Sequence, residues 1–189
     1  AYHYLGVCYY QQGQYESALR AFQTVISGYP KFEMLPASVL YQGVTQYALA
    51  QSGKPEWYEQ ADRTFAGLLS KYPNSEYVAE ALYYRGECLY GRGQKAEAAR
   101  LHAQLLQKYP DHKLAAEAMY AMGVAQEESG QPEAAGKTYE AFLAKYPQHR
   151  LATEVGMRRG ETLLAAGDAA EAAKHFAAAA GVQGFALAD

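Results

Sequence analysis

The stretch "AYHYLGVCYYQQGQYESALRAFQTVISGYP", residues 1–30, holds the rule that organises the whole chain. From Ala1 to Gln12 apolar residues return at helical spacing, and Gly13 stops the run. Ala18, Phe22, Val25 and Ile26 then mark a second amphipathic stripe. Pro30 follows the end of that stripe, where a helix cannot continue. The stretch predicts two antiparallel helices joined by a glycine turn. Gly6 in the first helix and Ala18 in the second let the two backbones approach. Phe22, one turn after Ala18, fills the space between this hairpin and the next.

The same arrangement returns along the chain. Gly6, Gly43, Gly86, Gly123 and Gly160 stand 37, 43, 37 and 37 residues apart. Each is followed by a small residue (Ala18, Ala61, Ala98, Ala135, Ala172) and, four positions on, by a ring (Phe22, Phe65, His102, Tyr139, Phe176). Turn glycines recur at Gly53, Gly93, Gly130 and Gly167. A Tyr-Pro closes the first four units, and Gly184 stands there in the fifth. Three of those closures read Lys-Tyr-Pro, with Lys71, Lys108 and Lys145 in a last helical turn, where positive charge suits the helix dipole. Their tyrosines are expected to pack into the following hairpin. One hairpin cannot bury both of its faces, but a stack can. The reading is an all-α solenoid of five hairpins, with units at about 1–36, 37–80, 81–117, 118–154 and 155–189.

The one irregular interval, 43, comes from the second unit. Gly43 to the turn glycine Gly53 is ten residues against seven elsewhere, and Gly53 to Ala61 is eight against five. Both helices are therefore expected to be longer by three residues, or roughly 5 Å each. Pro55 is expected at the first position of the second helix. The lengthened turn carries Trp57, the only tryptophan, and Tyr58, which together form a candidate second contact point for a partner.

Composition excludes several classes. The net charge is −3 with both signs interspersed, so no broad basic field would attract nucleic acid. The most apolar stretch, Ala165 to Ala188, is interrupted by Asp168, Glu171, Lys174 and His175 and cannot insert in a membrane. No leader is visible, and the sequence reads as a piece of a longer repeat protein.

The mutual spacings of Gly6, Ala18, Phe22 and Pro30 resemble those of the tetratricopeptide repeat (TPR), with about three extra residues after the proline. The opening stretch further resembles the envelope-associated bacterial subclass, which includes the Tol–Pal coordinator and outer-membrane assembly lipoproteins. The resemblance implies a right-handed superhelix whose first helices line a concave groove. It implies a non-catalytic scaffold that binds a protein or peptide partner, and it favours the periplasm or cell envelope over the cytoplasm. Carried onto this chain, the groove positions include His3, Tyr10, Tyr47, Tyr83, Glu87, Tyr90, Tyr120, Glu127, Met157 and Glu161. Its first half is aromatic and nearly neutral; its second half is aromatic and acidic. Tyrosines suit interfaces, and the carboxylates favour a ligand with Lys or Arg. The alternatives are a self-associating scaffold, joined through ends that lack polar caps, and a regulatory module of a larger enzyme or envelope complex.

No catalytic, metal or cofactor constellation is evident. The histidines do not cluster: His112 and His149 are expected to be exposed turn residues, and His102 a satisfied core ring. Glu127 and Glu128 read as a solvated face. Cys8 and Cys88 occupy equivalent positions two units apart, roughly 20 Å or more by helix-stacking distances. That is too far for a disulfide, so both are expected as free, partly buried thiols.

Overall fold

The computed structural model describes residues 1–181, and the fold class is all-α and TPR-like. Ten helices run in sequence among the described residues: α1 (Tyr2–Gln11), α2 (Tyr15–Gly28), α3 (Leu35–Gln51), α4 (Trp57–Lys71), α5 (Val78–Gly91), α6 (Lys95–Lys108), α7 (Ala115–Glu128), α8 (Pro132–Lys145), α9 (Ala152–Ala165) and α10 (Ala169–Ala180). The expectations for Gly184 and the segment beyond Gly181 lie outside the described residues. Two compact units divide the chain at Leu105/Leu106.

The turns close as the glycines require. Gly13 has φ +72°, a left-handed conformation that costs a glycine little. Its N–H bonds Tyr10 O, and the next N–H, of Gln14, bonds Tyr9 O, so two carbonyls at the end of α1 are satisfied. The same pair of bonds ends α5, α7 and α9.

Each ring lies on the glycine of its own hairpin. A Cβ on Gly43 would come within 2.6 Å of Phe65, and one on Gly123 within 2.3 Å of Tyr139. In the first unit the ring also meets the next hairpin. Phe22 stacks on Tyr41 and Phe65 on Tyr84, at 5.9 and 5.8 Å between centroids. Phe65 is fully buried with Ala61, Leu68, Ala81 and Cys88, a burial that stabilises by about 1.5–3 kcal/mol for such a ring. The core of the second unit gathers Ala116, Ala135, Tyr139, Phe142 and Val155.

The lengthened hairpin differs from expectation. α3 is three residues longer than α5, α7 and α9, as the spacing requires. α4 gains only one residue over α6 and α8; the remainder lengthens the turn, 52–56. Pro55 therefore precedes the helix, and its carbonyl accepts from Tyr58 N in a tight 3₁₀-type entry. The turn is tied on both sides. Lys54 Nζ meets Glu16 at 2.7 Å, and the Tyr58 ring covers Gly91, where a Cβ would lie 2.6 Å away. Trp57 is half-buried at the first residue of α4.

Three further expectations change. Cys8 is exposed and Cys88 fully buried, because the preceding hairpin covers Cys88. Burial, with Asp62 nearby, pushes the Cys88 thiol up from its ordinary value. His112 and His149 are half-buried caps rather than free turn residues. Their Nδ1 atoms accept from Leu114 N and Leu151 N at 3.2 and 3.3 Å. Ser75 makes the same bond to Tyr77 N at 3.3 Å. The closing tyrosines Tyr72 and Tyr146 pack against the cores, whereas Tyr29 is 52% exposed.

Candidate functional site

In the first unit the candidate surface is built on α1, α3 and α5. His3 is buried, its Nδ1 2.9 Å from Ser38 Oγ and its ring beside Phe22, Phe32 and Tyr41. It is a packing group of the first hairpin, and burial holds its imidazole below the ordinary value. Tyr10, Tyr47 and Tyr90 occupy one repeat position, four residues after the helix glycine, and all three are half-buried. Tyr10 meets Tyr41 edge-on at 6.3 Å. Tyr47 packs on Tyr58 and Tyr84, and its hydroxyl accepts from Gln51 Nε2 at 3.0 Å. Burial first, and then Glu87, push the Tyr47 phenol well above the usual range, so it stays a donor.

Glu87 lies between these rings. Its Oε2 is 3.5 Å from Tyr47 Oη and its Oε1 is 3.3 Å from His102 Nε2. His102 is 1% exposed, and neither ring nitrogen makes a hydrogen bond. The approach to Glu87 is close but poorly aligned, so this core histidine is not the satisfied one expected. Tyr83 stands one turn before Glu87, its ring 5.6 Å from that of His102.

The second unit is organised by a residue that the groove positions did not include. Arg158 on α9 lies over the Tyr120 ring at 5.8 Å. Its Nε donates to Glu154 at 3.2 Å and an Nη to Glu127 at 3.4 Å. Glu127 also accepts from Tyr139 Oη at 2.6 Å, and Glu154 from Tyr120 Oη at 3.0 Å. Glu127 is therefore a paired carboxylate and not part of a solvated face. Met157 is half-buried and Glu161 exposed. Leu164, at the repeat position of Tyr47, is 54% exposed.

Among the described residues no group of three or more His, Cys, Asp or Glu is placed to hold a metal ion. Among the same residues no helix is long and apolar enough to cross a membrane.

Comparison with known proteins agrees with this architecture. One model described as tetratricopeptide repeat matches residues 1–31, and a second of the same description matches 80–112 and 117–149. The chain is built from tetratricopeptide repeats. No curated protein sequence matches it. Among solved structures, MamA is similar over 93% of this chain and 92% of its own, with 21% identity and a TM-score of 0.76. A second MamA structure is similar over 100% of this chain and 96% of its own, with 20% identity and a TM-score of 0.79. MamA 41-end from Desulfovibrio magneticus RS-1 gives 22% identity and a TM-score of 0.76, over 95% and 91% of the two chains. At these identities the likeness establishes the fold alone.

In TPR register, the position missed from sequence is the one two before the helix glycine. It reads Tyr4, Tyr41, Tyr84, Ala121 and Arg158. Tyr41 and Tyr84 are the stacking partners of Phe22 and Phe65. The recurrence of three tyrosines at that position was a usable signal. Arg158, which breaks the series, marks the change from a stacked to a charged contact.

Proposed function

We propose that this chain is a non-catalytic interaction scaffold that binds an extended peptide or protein segment along the face formed by its first helices. The observation that carries this is the repetition of Tyr10, Tyr47 and Tyr90 at one repeat position, with Tyr83 beside them, all half-buried. Partly open tyrosines give broad contact area at low entropy cost. His3 is left out of this surface because it is buried. Lys54 and Tyr58 hold the lengthened turn, and the open part of Trp57 is available as a second contact. A ligand with basic residues is favoured at Glu87 and Glu161, while Glu127 and Glu154 already share Arg158 as a partner. A cell-envelope setting rests on the resemblance of residues 1–30 to the envelope-associated subclass, and periplasmic recovery in cell fractionation would test it.

The test is an affinity pull-down followed by titration of the captured partner against the wild type and the Tyr83→Ala/Tyr90→Ala variant. Affinity should fall at least about ten-fold, the loss of roughly 1.4 kcal/mol, with helicity intact by circular dichroism. Unchanged affinity overturns the groove reading. A second reading, self-association, is favoured by the exposure of Tyr2, Tyr4 and Leu5 together in α1. Light scattering across a concentration series distinguishes it: a constant mass excludes it.

A further inference from the structure

We infer that Glu87 is the anchor for one Lys or Arg side chain of the ligand, held in a tyrosine-walled site formed by Tyr47, Tyr83 and Tyr90. This rests on the groove reading above and names the chemistry at its centre.

Tyr83, Glu87 and Tyr90 stand at positions i−4, i and i+3 of α5, so they share one helix face. Tyr47 comes from the preceding hairpin and points its hydroxyl at Glu87. A carboxylate among aromatic rings suits an alkyl-ammonium or guanidinium group: the oxygens take the charge, and the ring faces attract the cation and its stem. Tyr90 already shows the second half of this chemistry, because Lys95 Nζ sits 5.9 Å from its centroid.

The site is unfinished in a specific way. Glu87 is 22% exposed. Its only ion-pair neighbour among the described residues is His102, and that contact lacks hydrogen-bond geometry. The nearby arginines are occupied elsewhere: Arg85 on the same helix and Arg92 just past its end both hold Asp62, at 2.8 Å. Beneath Glu87, His102 is a polar ring 99% removed from solvent, aimed at the carboxylate and otherwise unbonded. The second unit shows the same ingredients completed. There Arg158 lies on the Tyr120 ring and bridges Glu127 and Glu154. The repeat position of Arg158 reads Tyr84 in α5 and Ala121 in α7, so the chain does not repeat that arginine here. The ligand supplies the cation at Glu87.

The probes are the pentapeptide acetyl-Ala-Ala-Lys-Ala-Ala-amide and its counterpart with norleucine in place of lysine, which keeps the stem and loses the charge. Each is titrated into the whole chain while the tyrosine ring signals are followed by NMR. The lysine peptide should shift the Tyr47, Tyr83 and Tyr90 signals saturably, and the norleucine peptide should not. Glu87→Gln should weaken the lysine peptide at least ten-fold, whereas Glu133→Gln, at an exposed carboxylate of α8 away from the first-helix face, should leave it unchanged. Equal binding of the two peptides to the wild type overturns the proposal, and that arm does not depend on any variant folding. Unchanged affinity in Glu87→Gln, or an equal loss in Glu133→Gln, overturns it too. The groove reading is judged separately. If the tyrosine double variant still binds its captured partner while the lysine peptide selects Glu87, the groove reading fails and the anchor stands. If the partner needs the tyrosines while the peptides bind alike, the anchor fails and the groove reading stands.

Discussion

His102→Phe should stabilise this protein, although it removes the only ion-pair neighbour of Glu87 among the described residues. His102 is 1% exposed and neither ring nitrogen is hydrogen-bonded. A buried polar group without a partner costs about 1–3 kcal/mol. The site is shaped for an aromatic ring. Phe22, Phe65 and Phe176 lie on Gly6, Gly43 and Gly160 with a nearest carbon 2.6 Å from where a Cβ would stand, and His102 lies on Gly86 at 2.7 Å. Phenylalanine can therefore enter in the same pose without strain. Against the gain stands the loss of one poorly aligned 3.3 Å contact to a carboxylate that keeps access to water. The expected net is a gain of about 1–2 kcal/mol. In a chain of this size each kcal/mol moves the thermal midpoint by about 2–4 °C, so melting should rise by several degrees. His102→Ala, which empties the same space, should instead lose about 2–4 kcal/mol. Calorimetry or circular-dichroism melts of the three proteins decide the matter. A lower midpoint for His102→Phe would refute the reasoning, since it would mean that the imidazole gains more from Glu87 than its geometry allows.

Five other outcomes follow from particular residues. Gly123→Ala should destabilise by about 1–3 kcal/mol in chemical denaturation, because its Cβ would lie 2.3 Å from Tyr139; Gly156→Ala, with open space around it, should stabilise α9 by about 0.5–1 kcal/mol. A thiol reagent should modify Cys8 at once and Cys88 only after unfolding, giving one equivalent under native conditions. Burial holds the His3 imidazole below 6.5, so the unfolded chain takes up a proton there before the folded chain does; its contribution to stability should be constant above that pH and fall as the pH drops below it, with a shallower loss in His3→Phe. Asp62→Asn should cost about 1–3 kcal/mol in thermal melts, because both Arg85 and Arg92 lose the carboxylate that holds them.

Much of this fold was legible because a repeat states its rule several times. The turn glycines, the glycine–alanine pairs and the ring positions follow from spacing; the turn glycines fall between helices and the others on the helices expected for them. The site was less legible, for a reason visible at His3. The register placed it on the first-helix face with Tyr83 and Tyr120. What decides its burial is Ser38 and Phe32, which belong to the next hairpin and the loop before it. A periodic pattern assigns a residue to a face; it does not say which neighbour closes over it. Arg158 escaped for a similar reason, since its importance lies in Tyr120 and Glu127 on another hairpin. The division of extra residues between α4 and its turn was illegible too. Spacing alone counts them equally, whereas Pro55 shifts the start of regular helix to Trp57.

The departures from the repeat come in matched sets, which bears on how one hairpin recognises its neighbour. Asp62 follows Ala61, and Arg85, just before Gly86, reaches it at 2.8 Å. The same two positions in the second unit hold Gly136, after Ala135, and Arg159, before Gly160. There the guanidinium occupies the space that a side chain would need, 2.6 Å from where a Cβ on Gly136 would stand, and Glu140 pairs with it instead. Tyr58 and Gly91 make another such set, a ring from the lengthened hairpin resting where other units carry a side chain. Exchanging hairpins would leave Arg85 facing a glycine, Arg159 crowded by a carboxylate's stem, and Tyr58 against a side chain. The regular positions are nearly interchangeable and supply the apolar stacking energy common to any repeat array. The irregular ones penalise the wrong neighbour, so the order of hairpins is written where the sequence breaks its own period.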